Sequence, residues 1–156
     1  MLGRRTGRRD HRGAAAVETA LCICFIVLPL TFATIAYAYM FSFRQALSQA
    51  ASEGARAAVG APTASVTSSA QTAIGNALGT YDMTCDGGVI KRNGTAVSGS
   101  TCSVSAATTA GCTPSHTCVT VTVSYPYRDH SLLPTVPGLG FTLPDNLSFT
   151  SVVQVS

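Results

Sequence analysis

Between Glu18 and Arg44 the chain runs for 25 residues, Thr19 to Phe43, without a charged side chain. As a helix this run would span roughly 38 Å, somewhat more than the ~30 Å hydrocarbon core of a bilayer. The stretch Ala14 to Phe43, in which Glu18 is the one charge, therefore predicts a transmembrane helix. Ahead of it, Arg4, Arg5, Arg8, Arg9 and Arg12 stand against Asp10, a net charge of +4. Clustered arginines stay on the cytoplasmic side, so the N-terminus is expected inside and the rest of the chain exported. Tyr37 and Tyr39 suit the outer interfacial belt. Pro29 removes one helix hydrogen bond and predicts a kink that membrane packing can accommodate.

About 100 of the 156 residues follow this helix, enough for one small exported domain. The leader carries the positive charge of the chain. From Ala57 onward, Lys91, Arg92 and Arg128 face Asp82, Asp86, Asp129 and Asp145, a net −1, so no basic surface for nucleic acid remains outside. Of the six cysteines, Cys22 and Cys24 lie in the apolar run, where they read as small packing residues. Cys85, Cys102, Cys112 and Cys118 lie in the exported part and suggest two disulfides, in any of three connectivities. A competing reading takes Cys112, His116 and Cys118, with His130, as zinc ligands. Export and the remaining two cysteines favour disulfides. No nucleophile motif, phosphate loop or nucleotide fingerprint is present, so neither an enzyme nor a cofactor is expected.

A basic leader before an apolar run raises the question of processing. A secretory signal peptidase would cut after Ala36-Tyr37-Ala38, but the apolar run continues to Phe43 and holds a glutamate in its first third. Lipidation at Cys22 would need a small residue where Leu21 stands. Cutting after Gly13 makes Ala14 the new N-terminus and Glu18 its fifth residue. That cut gives the lone charge a purpose. A carboxylate at membrane depth costs ~2.5 to 3.5 kcal/mol near a helix centre and is usually held by a partner. Glu18 of one subunit meeting the Ala14 ammonium of a neighbour would satisfy both charges.

Gly13 followed by AAAVE and a long apolar helix resembles the prepilin processing site of type IV pilins. The run GAAAVETAL, continuing to RQALSQAASEGARAA, resembles the TadE-like family of the tight-adherence (Flp) pilus system. VTVTVSYPY and the loop LPTVPGLGFTL are similar to that family's C-terminal half. Thr19 departs from the pattern, standing where tight-adherence prepilins usually carry an aromatic. The resemblance implies a minor pseudopilin of the bacterial cytoplasmic membrane that takes part in pilus assembly for surface attachment or in related secretion. It implies cleavage between Gly13 and Ala14 by a prepilin peptidase. It also implies assembly through Glu18 with other pilins and pseudopilins, on a platform driven by an ATPase, with entry into the pilus itself as one destination. The rival reading is an uncleaved, membrane-anchored exported domain that acts as a scaffold or binding module.

Beyond the membrane the helix is expected to continue to Gly60, where Pro62 stops it. Ala46, Leu47, Ala50, Ala51, Gly54, Ala57 and Ala58 form one small-residue face, opposite Arg44, Gln45, Ser48, Gln49, Ser52, Glu53 and Arg56. Such a face permits close backbone approach, either in a helix assembly or against the chain's own domain. Ala64 to Leu78 predicts a second helix, ending before Gly79. VIKRNGTAV predicts a hairpin turning at Asn93-Gly94. Thr117 to Tyr125 alternates Val119, Val121, Val123 and Tyr125 with polar residues and predicts a strand, with Leu147 to Val155 a second. The connector from Pro126 to Asn146, rich in proline and apolar residues, reads as a cap on the sheet or as a contact surface. The expected architecture is α+β: a leader (1–13), a transmembrane and extended helix (14–60), and a small β-rich, disulfide-bonded exported domain (61–156).

Overall fold

The computed structural model describes residues 12–105, 112, 116–133 and 143–155. Helix α1 (Arg12–Cys22), a π-helical turn (Ile23–Val27) and α2 (Leu28–Gly60) follow without a break. The 48 residues from Gly13 to Gly60 make a helix long and apolar enough to cross a membrane. The π turn is the form that the disturbance at Pro29 takes. Pro29 has no amide hydrogen for the Phe25 carbonyl and its ring crowds that oxygen. Just ahead, the Leu28 N–H donates to the Ile23 carbonyl, five residues back rather than four. Pro62 ends the rod by forcing Ala61 into extended backbone, φ −94° and ψ 144°. A short 3-10 turn (Thr63–Ser65) then leads into α3 (Val66–Leu78). The chain does not reverse at Gly79, which stays right-handed; Asp82, at φ 54°, makes the left-handed step after one more 3-10 turn, Gly79–Tyr81.

The core forms where α2 leaves the apolar span. Met40, Phe43, Leu47, Ala50, Ala51, Gly54, Ala55 and Ala58 are buried, a stripe spaced by three and four residues. Helix α3 returns antiparallel beside it, burying Ala70, Ile74 and Leu78. Gly54 shows how tight the fit is: a Cβ there would stand 2.7 Å from Ile74 Cγ1 and 3.3 Å from Val121 Cγ1. The small-residue face of α2 is thus taken up by the chain's own α3 and sheet. Ala55, unassigned by the sequence pattern, belongs to it, while Ala46 and Ala57 are only partly buried.

Two three-stranded antiparallel sheets complete the domain. The smaller holds β1 (Met83–Asp86), β2 (Val89–Arg92) and β3 (Thr95–Ala96). Its turns are built at Gly87-Gly88 and Asn93-Gly94, with φ of 62°, 82°, 50° and 80°. Positive φ at both central positions gives the turn a twist that matches the flanking strands. The larger sheet holds β4 (Thr101–Val104), β5 (Thr117–Tyr125) and β6 (Leu147–Val155), in the order β4-β5-β6. The register pairs Tyr125 with Leu147 and Thr117 with Val155, so the two strands align over their full length. Val119, Val121, Val123 and Tyr125 turn inward onto α2, as their alternation predicts.

Two disulfides close the domain. Cys85–Cys102, with Cα atoms 6.1 Å apart, ties β1 to β4 and so joins the two sheets. Beside it the Cys102 N–H donates to the Gly88 carbonyl at 2.9 Å. The buried Ser100 hydroxyl accepts the Ile90 N–H at 3.1 Å and donates to the Val97 carbonyl at 2.7 Å. Cys112–Cys118 closes the second, shorter loop. Here the two cysteines of the competing zinc reading are bonded to each other. His130 instead places Nε2 3.0 Å from Ser98 Oγ.

The described ends of the connector cap the core. Tyr127 and Leu143 are buried, and Arg128 locks the two ends together. Its Nε and Nη2 donate to the Leu143 carbonyl at 3.1 and 2.7 Å, and it pairs with Asp145. The Tyr125 hydroxyl donates to the His130 carbonyl at 2.9 Å. Pro134, Val136, Pro137, Leu139 and Phe141 lie outside the described residues, as do the leader arginines Arg4, Arg5, Arg8 and Arg9.

Candidate functional site

The residues singled out for processing and assembly sit on α1, the first three turns of the rod. Gly13, Ala14, Val17, Glu18 and Thr19 are all exposed. Among the described residues nothing demands a glycine at position 13: its φ is not positive, and a Cβ there would meet no heavy atom of theirs within 4 Å. Ala14 and Glu18 are four residues apart, about 6 Å along one helix face. Among the described residues none pairs with Glu18, so its carboxylate has no structural duty within them. Thr19, in place of the usual aromatic, returns its hydroxyl to the Ala15 carbonyl at 2.9 Å.

The surface around these residues is apolar on every side. Val17, Leu21, Ile23, Phe25, Ile26, Val27, Leu28, Leu30, Phe32 and Ile35 are exposed, although large aliphatic and aromatic side chains usually fill a core. A rod exposed in this way from Gly13 to the turn before Tyr37 must be covered by lipid, by other helices or by both. Cys22 and Cys24 are free thiols on this surface. They lie on the apolar run, while the four cysteines of the domain are all bonded.

The rod is thus divided by environment. From Met40 onward its small-residue stripe belongs to the domain; from Val17 to Ile35 its large side chains face outward, and Tyr37, half-buried against the core, marks the change. Sequence periodicity found the stripe but left open what it packs on. The aromatic junction was less visible. Phe43 is buried among Tyr81, Tyr125 and Tyr127, with ring centroids 5.0, 5.0 and 5.9 Å away, and Tyr81 also meets Tyr39 at 5.9 Å. These rings come from three separate parts of the chain: α2, the turn after α3 and the end of β5. Only the pattern Tyr125-Pro126-Tyr127 at a strand end hinted at them.

Fold and surface together define a protein with one N-terminal helix long and apolar enough to cross a membrane, consistent with single-pass anchoring, that runs directly into a small disulfide-bonded α+β domain. Residues 13–56 match the family model described as TadE-like protein. That segment is the rod from its first glycine to the middle of the domain's helical core. The resemblance seen in residues 119–143 lies outside the matched range. No curated protein and no solved structure matches the chain.

Proposed function

We propose that this protein is a minor pseudopilin that takes part in assembly of tight-adherence pili, for surface attachment or related secretion. One observation carries the reading. The segment that matches the TadE-like family begins at a glycine and includes a glutamate for which the described fold has no use. A residue without a structural role among the described residues, five positions after that glycine, supports recognition by another molecule. In this reading the arginine leader holds the N-terminus in the cytoplasm and the disulfide-bonded domain is exported. A prepilin peptidase cuts between Gly13 and Ala14, and the trimmed subunit joins other pilins and pseudopilins on an ATPase-driven platform.

Glu18 supplies the selectivity of that step. Alone in lipid its carboxylate is a cost. Beside the Ala14 ammonium of a neighbouring subunit it is matched, in a low-dielectric setting where attraction between charges is far stronger than in water. The charge therefore favours docking rather than insertion or folding. Its place on an exposed face, about 6 Å from the new terminus, leaves it open to a neighbour. The protein's role in this account is structural, and the partners define it.

The experiment is co-purification of tagged subunits with the assembly machinery, with processing after Gly13 scored on the same samples. Glu18→Leu makes the helix more apolar, so the variant is expected to insert and accumulate normally yet fail to enter the complex. Glu18→Gln should also be impaired, since a neutral amide does not neutralise an ammonium. Processed Glu18→Leu protein that assembles at the wild-type level would refute the charge-pair mechanism. Unprocessed protein of either type that remains in the membrane would favour the uncleaved scaffold.

A further inference from the structure

The junction between rod and domain has no linker. Tyr39 is in the helix, and within two turns Met40, Phe43 and Leu47 are already buried in the domain's core. Tyr81, contributed by the turn after α3, reaches down to this level. Its ring lies 5.9 Å from Tyr39 and 5.0 Å from Phe43, and its hydroxyl is 3.0 Å from Ser42 Oγ. The domain is thus fixed to the rod at the end of the apolar run.

Helix geometry sets the height of that point. Glu18 and Tyr39 are 21 residues apart, roughly 32 Å along the rod, close to the ~30 Å hydrocarbon thickness. With Glu18 near one edge of the hydrocarbon, Tyr39 reaches the other. The headgroup layer beyond adds about 5 to 7 Å on each side, and Tyr81 lies within that distance of Tyr39. Tyrosine is favoured at this depth because its ring is apolar and its hydroxyl is wet. Arg44, the first charge after the span, is exposed about 7 Å further along, level with lipid phosphates. Asp82 is exposed beside Tyr81 and carries the opposite sign.

We infer that the folded domain rests directly on the outer membrane–water interface, with Tyr81 joining Tyr37 and Tyr39 in one aromatic collar set into the headgroup layer. The inference rests on the membrane-spanning reading of the rod. Its occupant is the lipid surface, and the continuity of the collar with the apolar span is what selects it. The collar fixes the depth of insertion and couples any tilt or withdrawal of the helix to the whole domain.

The chain has no tryptophan, so one introduced tryptophan reports a single site. The full-length protein, reconstituted in phosphatidylcholine vesicles, would carry Phe32→Trp, Tyr81→Trp, Thr80→Trp or Val59→Trp. Quenching by lipids brominated near the headgroup is then compared with quenching by lipids brominated deep in the acyl chain. Phe32→Trp should respond to deep bromine. Tyr81→Trp should lose roughly half or more of its emission to shallow bromine, as expected of a ring at interfacial depth. Val59→Trp, about 30 Å further along the rod, should be unaffected. Thr80→Trp, exposed in the same turn, gives the same readout without replacing a packed ring. Quenching of Phe32→Trp with none at positions 80 and 81 overturns the collar and leaves the span intact. No quenching of Phe32→Trp removes the span and the collar with it.

Discussion

At Gly54 one missing Cβ decides how α2 meets the domain. Only a hydrogen fits between its Cα and the Ile74 and Val121 side chains. Gly54→Ala gains helix propensity, about 1 kcal/mol, but must push Ile74 aside in a packed core, which typically costs about 1 to 3 kcal/mol. Overpacking wins because the contact at 2.7 Å involves Ile74 Cγ1, a branch close to the backbone and not a free end. The expected outcome is a lower thermal midpoint in detergent, partly restored by Ile74→Val. Tyr125 sets a different limit. Burial raises its phenol above the ordinary value of 10.0, an effect that Arg92 opposes. Because the folded-state value is the higher one, the fold's full stability is present below pH 10 and is lost as pH rises through the raised value. Thermal midpoints should stay level in that respect up to about pH 10 and fall above it. Tyr125→Phe should lessen the alkaline loss while costing roughly 0.5 to 1.5 kcal/mol at neutral pH, through the lost bond to His130.

Among the elements, those with strong local periodicity were legible before the structure. The strands Thr117–Tyr125 and Leu147–Val155 and the Asn93-Gly94 turn follow from alternation and turn chemistry alone. The short strands β1 and β4 were not legible, because each is four residues long and owes its place to the Cys85–Cys102 bond and the Gly88 contact. Cysteine pairing depends on which loops meet in space, and Asp86-Gly87-Gly88 was the one local sign of the first hairpin. The Pro29 adjustment was legible as a disturbance but not as a π turn, which depends on the neighbouring hydrogen bonds. In the candidate site, Gly13 and Glu18 were visible because they break an otherwise uniform pattern. Tyr81 was not, because its meaning lies in a contact 39 residues away. The first disulfide bears on stability as well. It closes a separation of 17 residues, which in the chain-entropy model contributes about 3 kcal/mol. Cys112–Cys118, with a separation of 6, contributes less. The Cys85→Ala, Cys102→Ala double variant should therefore lower the urea midpoint of unfolding more than the Cys112→Ala, Cys118→Ala variant does. Equal losses would show that loop length is not what sets the contribution.

The whole molecule is a rod with two environments and no hinge between them. Its upper half is buried by the domain, so the small-residue stripe is not free to pack on a second rod; its lower half offers apolar side chains on all sides. In the proposed assembly, contacts between subunits are thereby directed to the apolar half of the rod, where Gly13, Ala14 and Glu18 lie. A subunit built in this way has a use for its N-terminal charge only once the leader is gone, so trimming comes before assembly in this account. The intact mass of the protein purified from native membranes tests this most directly. The account predicts a chain that begins at Ala14, with the four exported cysteines bonded in pairs. A mass that retains Met1 to Arg12, or one that begins at Tyr39, would contradict it.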